Sequence, residues 1–201
     1  MQYTESMEDL NAHNDIARSE AACGEAAQVG TAIRFAVRAD VPFILQMIRE
    51  LASYERALHE VKATCELLEH WLFDEKKAEC LVASLDGVDH GIALFFTNFS
   101  TWEGVPGIFL EDLVVQEHAR GLGLGLALLL ELNKIALERG YTRLEWNCLD
   151  WNEPSLEFYR SLGAITRDEW LGHRLDRAAM EALAKSTGVP PGIADTFSEQ
   201  N

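Results

Sequence analysis

The stretch FLEDLVVQEHARGLGLGLALLLELNKIAL, residues 109–137, constrains this chain more than any other segment. An apolar, β-branched run ends, a short polar loop follows, and Gly121, Gly123 and Gly125 open a long apolar helical pattern. Alternate glycines at a helix start allow two readings. They let a ligand approach the backbone with no Cβ in the way, where the first-turn N–H groups and the helix dipole favour an anion; or they only permit tight packing. The dinucleotide fingerprint GxGxxG is absent, because its last position would be Leu126 counted from Gly121 and Leu128 counted from Gly123. A P-loop ends in Gly-Lys-Ser/Thr, and no Lys lies in this turn. What stands is R-x-x-G-x-G, met by Arg120, Gly123 and Gly125 behind a strand. A nicotinamide-type oxidoreductase is disfavoured on the same ground.

Around this segment the pattern alternates strands and helices. TAIRFAV (31–37) reads as a strand, and Asp40 as the N-cap of a helix with Pro42 in its first turn and Phe43, Ile44, Met47, Ile48 and Leu51 at helical spacing. A second helix is predicted from Thr64, carrying Leu67, Leu68 and Trp71. AECLVASL and HGIALFFTNF flank Asp86-Gly87 and predict an antiparallel hairpin. A strand over 107–115, a helix from Gly121 to Arg139 stopped by Gly140, and a strand over 141–149 follow. A helix over 152–162 stopped by Gly163, strands around Ile165 to Leu175 and a last helix over 176–184 complete the order. Hairpins combined with a strand–helix–strand crossover predict an α/β (α+β) fold with a mixed sheet.

The chain has 201 residues, 33 acidic and 17 basic, for a net charge of −16. Such a charge disfavours nucleic acid and anionic membrane as partners and is compatible with cationic ones, or with solubility alone. The apolar run Leu122 to Leu130 is too short to span a bilayer. Four scattered cysteines and six unclustered histidines give no disulfide framework and no metal-ligand spacing, so no metal and a reducing, cytoplasmic setting are expected. Residues 1–30 and 186–201 read as tails, the first acidic, around a single domain over 31–185.

Four blocks carry a family resemblance. They are Glu50-Leu51-Ala52-Ser53-Tyr54-Glu55, Leu110-Glu111-Asp112, the R-x-x-G-x-G loop, and Leu149-Asp150-Trp151-Asn152-Glu153-Pro154-Ser155 continuing to Phe158-Tyr159 and Gly163-Ala164. Together they resemble the GNAT superfamily of N-acyltransferases, within it the spermidine/spermine (diamine) and thialysine Nε-acetyltransferase group. The resemblance implies a GNAT-like, mostly antiparallel sheet flanked by helices, acetyl-CoA as co-substrate, a small cationic primary amine as acceptor, and a homodimer. An amino acid or an aminoglycoside as acceptor, or a CoA-binding regulatory module without turnover, are the alternatives.

Acyl transfer to an amine needs a deprotonated nucleophile, although an alkylamine of pKa ~10.4 is protonated at neutral pH, and a proton for the leaving thiolate. The resemblance assigns the latter role to Tyr159. It assigns base or ammonium-anchoring duty to Glu111, which a regular strand would set among apolar neighbours where a carboxylate is costly. Asp112 faces the other side of a regular strand and is the second choice, an assignment that a bulge would alter. Coenzyme contacts are implied for the backbone of Leu113, Val114 and Val115, for the loop and helix start Arg120, Gly121, Leu122, Gly123, Leu124, Gly125 and Leu126, and for Asn152, Ser155 and Tyr159. Asn152 also reads simply as a helix cap. Tyr54, Glu55, Glu111, Glu145 and Trp146 are the implied amine-side residues. Cys148 reads as a core residue of the preceding strand.

Overall fold

Asp86 and Gly87 both take positive φ, 51° and 80°. Two such residues make the hairpin turn whose twist matches its strands. In the computed structural model, which describes residues 30–185, this turn joins β2 (Glu79–Leu85) to β3 (Val88–Ser100). With β1 (Thr31–Phe35), β4 (Val105–Val115) and β5 (Leu144–Trp146) they form one sheet of five strands in the order β1-β2-β3-β4-β5. All pairings are antiparallel except β4–β5, which is parallel. The expected mixed, mostly antiparallel sheet is thus observed. The described residues divide into two units, one ending at Asn147 and one starting at Cys148, and each is taken by itself below. The expected tails lie outside the described residues, apart from Gly30.

In the first unit, helix α1 (Val41–Tyr54) buries Ile44 and Met47 against Cys80, Val82, Ile92, Leu94 and Val114 of the sheet. Asp40 stands at its N-cap position, but its carboxylate turns back to accept from the Val37 N–H at 2.7 Å and from Arg34. Helix α2 (Cys65–Glu69) is capped by Thr64, whose Oγ1 accepts from the Leu67 N–H at 3.3 Å. It continues into one π-helical turn, His70–Asp74. That turn shifts the helical phase, so Leu72 is buried while the expected Trp71 is exposed; Leu67, which precedes the turn, is exposed as well.

Helix α3 (Leu124–Glu138) covers the opposite face of the sheet with Leu124, Leu128, Leu132 and Ile135. It starts three residues later than predicted, because Gly121 and Gly123 hold left-handed φ of 76° and 85°. It ends as predicted: the N–H groups of Gly140 and Tyr141 bond the carbonyls of Leu137 and Ala136, a Schellman closure on a glycine at φ 70°.

β5 is shorter than the strand predicted over 141–149, since it pairs with β4 only at Ile108–Leu110. In the second unit, α4 (Glu153–Ser161) closes on Gly163 by the same double bond to Arg160 and Tyr159, and α5 (Arg177–Lys185) is capped by Asp176, which accepts from the Ala179 N–H at 2.8 Å. The strands expected around Ile165 to Leu175 are absent. A turn bonds the Trp170 N–H to the Arg167 carbonyl and sets the Arg167 guanidinium 5.1 Å from the Trp170 ring, and Ile165 and Leu171 are exposed. Alternating residues without a neighbouring ladder do not make a strand.

Candidate active site

The centre of the site is a bulge in β4. Leu94 pairs with Asp112 and the next residue, Phe95, pairs with Leu110, which leaves Glu111 as the extra residue. A bulge re-aims side chains, and here it reverses the expected environments. Glu111 is exposed, whereas Asp112 is half-buried on the α1 face beside Leu94. The premise that Glu111 lies in an apolar setting is therefore corrected: the apolar setting belongs to Asp112. Burial, then the charges of Glu111 and Glu55, push the Asp112 carboxyl up to about 6. Glu55, C-cap of α1, is also raised by burial. Three carboxylates from β4 and α1 thus share one electrostatic neighbourhood.

Beyond the bulge β4 has a partner strand on one side only. Pairing with β5 stops at Leu110–Trp146, so among the described residues Leu113 to Val115 face no strand on that edge. The cradle follows directly. Arg120 Nε donates to the Val115 carbonyl at 3.1 Å, and its guanidinium lies 5.3 Å from the centre of the Tyr54 ring at the end of α1. The first internal bond of α3 runs from the Ala127 N–H to Gly123. The N–H groups of Leu124, Gly125 and Leu126 therefore precede the helical ladder. Leu124 is buried, so it offers a ligand only its backbone, and Leu122 is exposed. A Cβ at Gly121 or Gly123 would meet no atom, and one at Gly125 would meet only Val115 Cγ2 at 4.0 Å. Tight packing does not explain these glycines: the left-handed φ of Gly121 and Gly123 accounts for two of them, and the turn they make leaves the backbone open to a ligand.

Sequence reasoning missed a strut beside the cradle. Gln116 bonds its N–H to the His90 carbonyl at 2.9 Å, its Oε1 lies 3.0 Å from His90 Nδ1, and its Nε2 donates to Glu50 of α1 at 3.4 Å. No short-range pattern joins residues 50, 90 and 116; only the sheet brings them together. Glu145 and Trp146 lie on β5, and Glu145 accepts from Asn98 Nδ2 at 2.8 Å while Arg143 Nε stands 3.0 Å away.

In the second unit Asn152 is the N-cap of α4 by position but makes no side-chain cap bond, and Ser155 lies in the first turn. Tyr159 is half-buried, and burial followed by the nearby Cys148 pushes its hydroxyl up to about 12. It is thus held protonated at neutral pH. Cys148 is half-buried and lies outside β5, which corrects its expected place in a strand core.

The profile of the Acetyltransferase (GNAT) family matches residues 44–164, more than half of the chain. The chain belongs to the GNAT acetyltransferase family. This acetyltransferase is 35% identical over 166 residues to thialysine N-epsilon-acetyltransferase of Mus musculus, covering 77% of this chain and 97% of that one. It is 28% identical to L-ornithine N5-acetyltransferase NATA1 of Arabidopsis thaliana, covering 76% and 87%. Spermidine/spermine N(1)-acetyltransferase-like protein 1 of Homo sapiens is 30% identical over 75% of this chain and 23% of its own. Among solved structures, an integron cassette protein from the mobile metagenome of V. cholerae superposes with a TM-score of 0.67 at 24% identity, over 79% of this chain and all of that one. An aminoglycoside acetyltransferase from a soil metagenome gives 0.62 at 20% identity, over 73% and 97%. These likenesses show the fold.

GNAT enzymes use acetyl-CoA, and the first unit fits it. The open β4 edge offers N–H and C=O groups to an amide chain, and the Cβ-free turn at Gly121 and Gly123 leads to the N-terminus of α3, which favours phosphate. Among the described residues no group of histidines, cysteines or carboxylates has the arrangement of a metal site, and no helix is long and apolar enough to cross a membrane.

Proposed function

We propose that this N-acetyltransferase acts on the primary amine of a small cationic molecule, of the class that includes diamines, polyamines and amino acids with a side-chain amine. The grouping of Glu55, Glu111 and Asp112 at the end of the open β4 edge carries this reading. A cluster of carboxylates draws and holds an ammonium, and burial of one of them strengthens the attraction. The relatives named for thialysine, ornithine and spermidine/spermine support the same class.

Bound acetyl-CoA supplies the thioester whose acetyl group is transferred. The residues do the rest. Asp112, ionised above about 6, receives the ammonium with Glu55. Glu111, exposed at the bulge, takes its proton through water, so that the neutral amine is available for direct attack. Arg120, the turn glycines and the N–H groups of α3 hold the phosphates, while the edge of Leu113 to Val115 aligns the amide chain. Tyr159 keeps its proton at neutral pH and gives it to the departing thiolate.

The test is thiol release from acetyl-CoA across a panel of amines. Turnover with diamines and diamino acids, and little with neutral monoamines, is the expected result. Coenzyme binding with no turnover on any amine would instead identify a regulatory module.

A further inference from the structure

The loop that carries Arg120 is held from behind by a single residue of β3. Val115 ends β4 and Gln116 follows it, so their side chains point to opposite faces of the sheet. A Cβ on Gly91 would stand 3.2 Å from Val115 Cγ2 and one on Gly125 would stand 4.0 Å from it, so this side chain lies between β3 and the first turn of α3. Gln116 turns to the α1 face, where its Nε2 reaches Glu50 at 3.4 Å. The pairing of Gly91 with Val115 sets His90 opposite Gln116.

Two separate points of the loop rest on His90. Its carbonyl accepts from the Gln116 N–H at 2.9 Å, and its Nδ1 lies 3.0 Å from Gln116 Oε1. The His118 ring meets the His90 ring edge-on, with centroids 5.1 Å apart and planes at 85°. Between these points the loop closes on itself: the Ala119 N–H bonds the Gln116 carbonyl at 2.9 Å, the Arg120 N–H bonds that of Glu117 at 3.2 Å, and Ala119 is buried. Chemistry fixes the direction of the side-chain bond. The Glu50 carboxylate only accepts, and it takes the Gln116 amide N–H on an oxygen to which Gln46 also donates, at 2.9 Å. The amide oxygen therefore faces His90, whose Nδ1 carries the hydrogen.

Such an anchorage matters to a ligand held by a loop. Glu117, His118 and Arg120 are exposed, and the segment has no regular structure beyond the single 3-10 turn Glu117–Ala119. Ordering it on binding would cost affinity, and the apparent Kd equals the intrinsic one divided by the fraction of loop already in place. We propose that His90 and Gln116 are positioning residues for the coenzyme, which hold residues 116–120 ready for the phosphates and act through Arg120 rather than on the coenzyme itself. This rests on the coenzyme half of the reading above, in which Arg120 and the start of α3 hold the phosphates.

Calorimetric titration of CoA into the full chain tests the pair, beside kcat and the KM for acetyl-CoA with whichever amine of the panel turns over fastest. Gln116→Leu keeps the volume and removes the bond. Its Kd for CoA should rise about fivefold or more, the ratio carried by one hydrogen bond net of solvent. The KM for acetyl-CoA should rise in step while kcat stays within about twofold, because bound coenzyme has already set the loop. His90→Leu should behave alike, and the double variant should bind no more weakly than the worse single one. His90→Asn returns an amide N–H near the place of Nδ1 and should recover most of the affinity, which a general loss of packing would not. Gln116→Ala repeats the comparison should a leucine variant not fold. A Kd within about twofold of wild type in the Gln116 variants, a His90→Asn as weak as His90→Leu, or a loss confined to kcat would overturn the positioning role and leave amine acetylation standing. A wild-type chain that binds no CoA would overturn both.

Discussion

At the residue scale Asp112 is the most consequential group, because its fold disfavours its charge. Its folded pKa of about 6 lies above the unfolded value of ~3.9, so between these values the folded state binds more protons than the unfolded one. Stability therefore falls as pH rises through that window, and the ionised carboxylate weakens the fold at neutral pH. Asp112→Asn should stabilise the protein by about 1–2 kcal/mol at pH 7 and by almost nothing at pH 4, a reduced share of the ~1.4 kcal/mol per pKa unit because Asp112 is partly solvated. Urea unfolding at both pH values checks this. The same variant should raise KM for the amine roughly tenfold or more and remove the fall of kcat/KM below about pH 6. An asparagine that destabilises at pH 7 would contradict the proposed burial cost. Tyr159→Phe tests the other end of the reaction: kcat should drop about 10²-fold, and a kcat within about twofold of wild type under chemistry-limited conditions would refute the donor role.

At the scale of elements, α3 allows a ligand's demand on a glycine to be separated from the fold's own. Gly125 is helical and has room for a methyl group, with only Val115 Cγ2 at 4.0 Å. Gly125→Ala should therefore stabilise the apo-protein by about 0.5–1 kcal/mol, since alanine is the better helix former. Affinity for CoA should fall at the same time, measured by calorimetry; unchanged affinity would show that no ligand approaches that backbone. How far the elements were legible follows from the range of the forces that make them. Gly140 and Gly163 closed their helices as read, because a Schellman cap is a local bond pattern, and Asp86-Gly87 made the hairpin for the same reason. The bulge at Glu111 depends on how β4 pairs with β3, so spacing along one strand could not decide which of Glu111 and Asp112 is buried. The π turn after α2 and the Gln116 strut were hidden likewise, the first as a phase slip, the second as a meeting of three distant segments. The alternation at Ile165 to Leu175 misled because a strand needs a neighbour.

For the whole molecule, the acidity takes on a partly local meaning. Residues 61–120 contain 11 acidic and 4 basic groups, net −7, whereas residues 121–180 contain 9 and 7, net −2. The segment that opens with the turn glycines of the cradle and forms α3 is nearly neutral, and the acidic excess includes Glu111 and Asp112. The proposed cationic substrate would be drawn to such a protein without the phosphates of the coenzyme being driven off. The amine's kcat/KM should therefore decline as salt rises, while an uncharged acceptor would show little change.

The unpaired edge of β4 has a cost that has nothing to do with catalysis. A row of backbone donors and acceptors without a neighbouring strand is a template for another chain, and proteins ordinarily blunt such rows with charge or cover. Among the described residues no strand pairs this edge, and one of its carbonyls, that of Val115, accepts from Arg120; an amide-bearing ligand would cover the rest. Coenzyme bound along this edge would act as a chaperone for the fold it serves. At a hundredfold excess over Kd it should add about 2.7 kcal/mol of stability, and light scattering on mild heating should show the coenzyme-free protein associating first.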